Sequence, residues 1–282
     1  MKRILIMGAN SYIGTSFYKW VNNMPEQYQV ETISMRDNKW RDTSFSSYDV
    51  VYHIAAIVHV KESDTYKYFK INRDLAVEVA NKAKIEGVKQ FIFLSTMGIY
   101  GIERGFIDEK TKPNPKTPYA ESKLQAEMLL SQLADNSFKV AVLRTPIVYG
   151  KNCRGNYPRL ANMALRLPIF PKVKNERSMI YIDNLSEFVR LIINRELSGT
   201  FFPQNSEYIN TTQLVKFIAK AHGKELHATC IFNPLINLLI NFSETFRKVF
   251  GSLVYDKRIP GGPIEFNYET CSFEESIDNT EK

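Results

Sequence analysis

Tyr119 and Lys123 stand four residues apart in Thr117-Pro118-Tyr119-Ala120-Glu121-Ser122-Lys123, at the head of a stretch that reads as helix toward Leu133. On a helix, side chains four apart project from the same face. A phenol ordinarily titrates near ~10 and is a poor proton carrier at neutral pH. An ammonium one turn away favours the phenolate, so the spacing predicts a lowered phenol pKa and a usable acid-base group at Tyr119. Taken alone, such a pair is equally well a solvated helix-surface pair.

Two further groups of residues bear on that choice. Lys2–Met7 is a short apolar run of the kind found in buried parallel strands, followed by Gly8-Ala-Asn-Ser-Tyr-Ile-Gly14 and a helix from Thr15 to Val21. Strand, glycine turn and helix start together predict an anion site, with backbone amides and the helix dipole aimed at a pyrophosphate. The middle position, usually glycine, is Ser11. Farther on, Val88–Thr96 reads as a buried strand delivering Ser95 and Thr96 to its C-terminal end, where ligands bind in open parallel sheets.

These residues must be held by alternating strands and helices. Tyr28–Ser34 reads as a second strand. Where a carboxylate would bind an adenosine ribose hydroxyl, the chain has Ser34-Met35-Arg36, which favours the extra phosphate of NADP(H) over NAD(H). Tyr48–Ala56 reads as the next strand, with Ala55 and Ala56 small enough to let backbone approach a cofactor. His53 and His59 flank its end and read as packed or hydrogen-bonded residues. Tyr68–Lys84 reads as helix closed by Gly87, and Lys139–Thr145 as another strand. The fold class expected is α/β, a Rossmann-like doubly wound parallel sheet with a smaller C-terminal substrate-binding lobe.

The chain has 282 residues, 44% of them hydrophobic, enough for a large core. Met1-Lys-Arg leads straight into a strand, so no signal peptide is expected, and no apolar run reaches the ~18 residues that cross a bilayer. Cys153, Cys230 and Cys271 lie far apart without metal spacing, which fits a reduced, cytoplasmic protein and no metal site. The formal charge is +7; residues 265–282 carry six acids and one base, leaving a basic body. Such a body suits a phosphorylated small molecule, and the absence of a nucleic-acid motif argues against DNA or RNA. The apolar stretch 231–250 reads as a core or lid helix, with weak membrane-surface docking as the alternative.

In order along the chain, Gly8/Gly14, Ser95-Thr96 and Tyr119/Lys123 resemble the extended short-chain dehydrogenase/reductase family of nucleotide-sugar epimerases, dehydratases and reductases. Leu94-Ser-Thr-Met-Gly-Ile-Tyr-Gly101, Pro118-Tyr-Ala-Glu-Ser-Lys123, Leu143-Arg-Thr-Pro-Ile-Val-Tyr-Gly150 and Arg177-Ser-Met-Ile-Tyr-Ile-Asp183 are similar to its successive motifs. The resemblance implies Tyr119 as general acid/base, Lys123 on the nicotinamide ribose and Thr96 on the sugar oxygen at the reacting carbon. It implies a cofactor site from Gly8, Asn10, Ser11, Tyr12, Ile13, Gly14, Ser34, Arg36, Ala55, Ala56 and Ser95 together with Tyr119 and Lys123. Arg177 and Asn156, with Arg258 and Lys257 as further candidates, would hold the diphosphate of a UDP-sugar.

Details such as Trp40–Phe45, Gly155–Leu160 and Asn175–Ser178 are similar to bacterial enzymes of capsule and O-antigen sugar synthesis. The expected activity is therefore NADPH-dependent reduction of the 4-keto group of a UDP-4-keto-6-deoxy-N-acetylhexosamine. The alternatives are a UDP-glucose or UDP-N-acetylglucosamine 4-epimerase and a non-catalytic dinucleotide-binding sensor. Residues 1–151 are expected as the NAD(P)-binding domain, with 175–200 returning to it. Residues 152–174 and 201–264 would form the substrate lobe, and 265–282 a flexible acidic tail. A homodimer is the expected assembly.

Overall fold

A parallel strand buried on both faces needs a continuous apolar run, and the chain supplies one at each of the four inner strands of the main sheet, while its two edge strands, Tyr28–Ile33 and Gly199–Phe201, alternate or lack apolar residues and are partly exposed. The computed structural model describes residues 1–58 and 64–282, so His59 lies outside the described residues. Six parallel strands form one sheet in the spatial order Gly199–Phe201, Lys139–Thr145, Gln90–Thr96, Val50–His53, Lys2–Met7, Tyr28–Ile33. The chain starts in Lys2–Met7, moves outward to Tyr28–Ile33, then returns to the other side at Val50–His53. That reversal is the switch point at which doubly wound sheets bind ligands, and Gly8 begins there. The fold is α/β and Rossmann-like, as expected.

The helix Pro118–Leu133 lays Ala126 and Leu130 on the sheet, and Leu75–Ile85 lays Ala76, Val79, Ala80 and Ala83 there. Both meet Leu5, Val51, Phe91 and Phe93, all inaccessible to solvent. Upstream of Leu75 the helix carries a π-helical segment, Phe69–Asp74, after a single α turn at Tyr66–Tyr68.

Contacts divide the chain into two units. The first comprises Met1–Gly101, Lys112–Thr145 and Ser186–Pro203; the second comprises Ile102–Thr111, Pro146–Leu185 and Gln204–Lys282. The return to the first unit starts at Ser186 rather than 175, because Met179–Tyr181 pairs with Ile147–Tyr149 inside the second. Two more strand pairs belong to that unit, Gly105–Ile107 with Leu253–Tyr255 and Ile169–Pro171 with His227–Thr229.

The acidic C-terminal stretch departs from expectation. Instead of a flexible tail it forms the helix Phe273–Glu281, started by a reciprocal Ser272/Glu275 capping box. Ile277 is fully buried, Phe273 meets the Phe217 ring edge-on at 5.5 Å, and the Tyr149 and Ser276 hydroxyls share a 2.7 Å hydrogen bond. Its acids find partners in the same unit, Glu274 on Lys220 at 2.6 Å and Glu281 on the Tyr157 hydroxyl at 2.7 Å. Composition alone does not show those partners.

Candidate active site

The first unit builds its site from strand ends. Gly8 follows the first strand with φ +131°, a left-handed conformation, and a Cβ there would lie 3.1 Å from the Ala55 backbone nitrogen. Asn10 is also left-handed, at φ 65°. Ser11 has φ −73° and needs no glycine freedom; it is the N-cap of the helix Tyr12–Val21, its Oγ accepting from the Gly14 N–H at 3.1 Å. Gly14 makes that cap possible, because a Cβ on it would fall 2.6 Å from Ser11 Oγ. No acid occupies the helix's first turn, so its positive end suits an anion.

Tyr12 and Ile13 open that helix. Ala55 and Ala56 follow the third strand, and Ser34 follows the second, its Oγ accepting from the Arg36 N–H at 3.2 Å. Arg36 itself is exposed. These residues border adjoining strand ends, and the close approach of Gly8 to Ala55 is the kind of bare backbone cradle that fits a dinucleotide pyrophosphate.

On the other side of the third strand, Thr117 Oγ1 accepts from the Ala120 N–H at 3.2 Å, with Pro118 in the first turn of Pro118–Leu133. That cap fixes Tyr119 at the helix head, its phenol near the Thr96 side chain at the end of the fourth strand, where Thr96 Oγ1 accepts from the Gly98 N–H at 3.1 Å. Tyr68 meets Tyr119 edge-on, with ring centroids 6.3 Å apart. Two sites expected from separate motifs thus converge.

The electrostatics differ from the sequence expectation. Burial pushes the Tyr119 phenol up to about 12, with the nearby Thr96 side chain opposing. Lys123 is only 2% exposed; its Nζ donates to the Leu94 carbonyl at 2.8 Å and lies 4.4 Å from the centre of the Phe93 ring. Burial lowers its pKa to about 7 against the pull of Glu127. The lysine therefore shares the helix face of Tyr119, yet its charge is spent on a strand carbonyl and the phenol is not lowered.

Ser95 reaches the end of the fourth strand, with its hydroxyl turned to the helix. Its buried hydroxyl bonds the Glu127 carboxylate, while its carbonyl accepts from Thr145 Oγ1 at 2.9 Å. Glu127, one turn beyond Lys123, receives Arg144 through Nε at 3.0 Å and Nη2 at 2.8 Å, and Arg144 Nη1 donates to the Tyr100 hydroxyl at 2.9 Å. This buried network locks the fourth strand to the helix. Sequence reading did not single out Glu127, although its spacing from Lys123 repeats that of Lys123 from Tyr119.

Asn72, in the π segment, was equally unmarked. Fully buried, it exchanges hydrogen bonds with the Ile57 backbone at 2.9 and 3.0 Å and donates to Ser122 Oγ at 3.2 Å. Ser122 in turn donates to the Tyr119 carbonyl at 2.8 Å. His53 is packed as expected, stacked near Phe91 and Phe93, and burial lowers its pKa to about 3, so it stays neutral.

In the second unit, Arg177 and Asn156 line one pocket with Tyr157, Thr211 and Lys248. Arg177 Nη1 donates to the Gly251 carbonyl at 2.9 Å; its Nε is buried with no hydrogen-bond partner, and burial lowers its pKa to about 10. A desolvated guanidinium with an orphan N–H fits an anionic oxygen. Arg258 is not part of that lining: it is exposed and held by Asp256 in its own loop at 3.3 Å, while Lys257 Nζ sits over the Tyr208 ring. Among the described residues no cluster of three or more His, Cys, Asp or Glu could hold a metal ion.

The NAD dependent epimerase/dehydratase family model matches residues 4–202. A UDP-glucose 4-epimerase of Vibrio cholerae is 29% identical, covering 90% of this chain and 87% of its own length. An N-acetyl-α-D-glucosaminyl-diphospho-ditrans,octacis-undecaprenol 4-epimerase of Escherichia coli O157:H7 is 24% identical over 82% of this chain and 76% of its own. The fold is that of a UDP-N-acetylglucosamine 4-epimerase from Bacillus cereus, with a TM-score of 0.78 at 16% identity over 100% of this chain and 98% of the other. It also matches a dTDP-4-dehydrorhamnose reductase from Bacillus anthracis in complex with NADP, with a TM-score of 0.71 at 19% identity over 99% and 98%. With the glycine turn, Thr96, Tyr119 and Lys123 assembled on this sheet, the chain belongs to the NAD dependent epimerase/dehydratase family and is a nicotinamide-dinucleotide-dependent enzyme.

Proposed function

We propose that this enzyme inverts C4 of a diphosphate-linked hexose as a 4-epimerase. The observation that carries the reading is the Thr96–Tyr119 hydroxyl pair at a strand end of the first unit, in the same unit as the Gly8–Gly14 turn. When bound, the dinucleotide supplies hydride acceptance from sugar C4 and hydride return to it. Gly8, Asn10, Ser11, Tyr12, Ile13 and Gly14 would hold its pyrophosphate, and Ala55, Ala56, Ser34 and Arg36 its adenosine half. Tyr119 takes the O4 proton as C4 is oxidised and returns it to O4 when hydride comes back to the opposite face of C4, while Thr96 orients O4. Arg177 with Asn156 holds the diphosphate, the group shared by the substrates named for the Vibrio and Escherichia relatives.

Two observations favour a second reading, NADPH-dependent 4-keto reduction of a UDP-4-keto-6-deoxy-N-acetylhexosamine. Arg36 is exposed beyond the second strand, where an NADP phosphate would lie, and a phenol held protonated by burial is set to donate. The test is to give the purified enzyme UDP-glucose or UDP-N-acetylglucosamine with NAD, and separately the 4-keto sugar with NADPH or NADH. Appearance of the C4 epimer by NMR supports the first reading. Consumption of NADPH in preference to NADH, with the preference lost in Arg36→Ala, supports the second. If neither product forms, both are wrong.

A further inference from the structure

The segment Ile231–Phe242 contains no charged residue, and its helix Asn233–Phe242 is apolar on both sides. Asn233, Asn237 and Asn241 form a polar stripe between those sides, and an apolar helix face is ordinarily covered. Here the second unit covers one side only. Ile236 and Ile240, four apart, are buried, whereas Leu235, Leu238 and Phe242 are 56%, 55% and 79% exposed, and Ile231 just upstream is 81% exposed. Positions 235, 238 and 242 follow the spacing of a single helix face.

Beside this helix runs an open groove lined by Asn233, Asn237 and Ile240 together with Lys172, Lys174 and Lys216. The three lysines are exposed, and among the described residues none of them is ion-paired. Asn233 Nδ2 ties the helix start to the Lys172 carbonyl at 3.0 Å, which fixes the apolar face and that lysine in one local frame. Residues 211–250 carry five basic and two acidic side chains. Ten helical residues span about 15 Å, half the hydrocarbon thickness of a bilayer, so the helix can lie in an interface and cannot cross it.

We propose that the second unit docks on an anionic phospholipid bilayer through Ile231, Leu235, Leu238 and Phe242, with Lys172, Lys174 and Lys216 against the headgroups. Apolar side chains enter the acyl boundary and the lysines stay at the phosphate level, the arrangement of interfacial helices. A soluble protein partner would be met equally well by an apolar face without the lysines; the lysine rim is what selects a negatively charged surface. The inference does not depend on which sugar reaction the first unit performs.

The experiment is flotation of the full chain with vesicles of phosphatidylglycerol and phosphatidylcholine, and with vesicles of phosphatidylcholine alone, at low and high salt. The chain should float with the anionic vesicles at low salt and be released by high salt. Lys172→Gln/Lys174→Gln/Lys216→Gln should weaken partitioning on the order of 100-fold, at about fivefold per lysine. Leu235→Asn/Leu238→Asn/Phe242→Asn should abolish it while thermal unfolding and dinucleotide binding stay parental, because these side chains are exposed. The proposal is overturned if the parent does not float at low salt, or if either triple variant floats like the parent. It is also overturned if the apolar variant only converts a dimer to a monomer in sedimentation velocity, which would make this face a contact between two copies.

Discussion

Tyr119 and Lys123 share a helix face but answer to different surroundings, and that separation governs how each should respond to substitution. Tyr119→Phe keeps the ring against Tyr68 and removes only the hydroxyl near Thr96. Turnover should fall by ~10²–10⁴-fold with dinucleotide affinity intact, and Thr96→Val should lose less. A Tyr119→Phe rate within about twofold of the parent would remove Tyr119 from the chemistry. Lys123 offers a different readout. Its pKa in the folded chain is about 7 against an ordinary 10.5, so between those values the unfolded chain binds more protons than the folded one. Stability of the cofactor-free protein should therefore rise with pH through that window. Lys123→Met should flatten this part of the thermal-stability profile; a variant whose midpoint climbs with pH as steeply as the parent's would place the titrating group elsewhere.

Among the elements, the glycine turn was the most legible and still held a surprise. Its spacing is local, so Gly8, Gly14 and the helix start could be read directly from the chain. The serine at its middle position becomes intelligible only as a cap whose Oγ needs the bare Gly14 beside it. Ser11→Ala should cost about 1 kcal/mol and Ser11→Gly only a few tenths, measured as shifts of the urea midpoint. Equal losses for both would mean that the hydroxyl does not cap the helix. The Tyr119–Lys123 pair was legible for the same local reason. By contrast, Glu127 depends on Ser95, 32 residues away, and Asn72 on Ser122, 50 residues away; no local pattern contains those partners. The stretch 231–250, expected as core or lid, buries Ile236 and Ile240 and exposes the opposite side. A pattern apolar on both sides cannot reveal which side its own chain will cover.

Taken as a whole, the molecule's acidic end shows how charge can mislead about order. Removing residues 273–282 should destabilise the second unit, since Tyr149 loses Ser276, Tyr157 loses Glu281 and Phe217 loses Phe273. Ile277 alone accounts for about 2 kcal/mol of burial, which corresponds to roughly 4–8 °C in the thermal midpoint of a chain this size. An unchanged midpoint would restore the flexible tail.

The chain passes from one unit to the other five times. During synthesis the emerging polypeptide therefore lays down the start of each unit long before its end. The sheet of the first unit lacks its edge strand until Gly199–Phe201 has left the ribosome, and the second unit stays incomplete until the final helix follows. Neither unit is a contiguous cassette that recombination could transplant. A premature stop after residue 150 would yield five strands of an open sheet in search of a partner, so quality control would meet an aggregation-prone fragment instead of a half-sized enzyme.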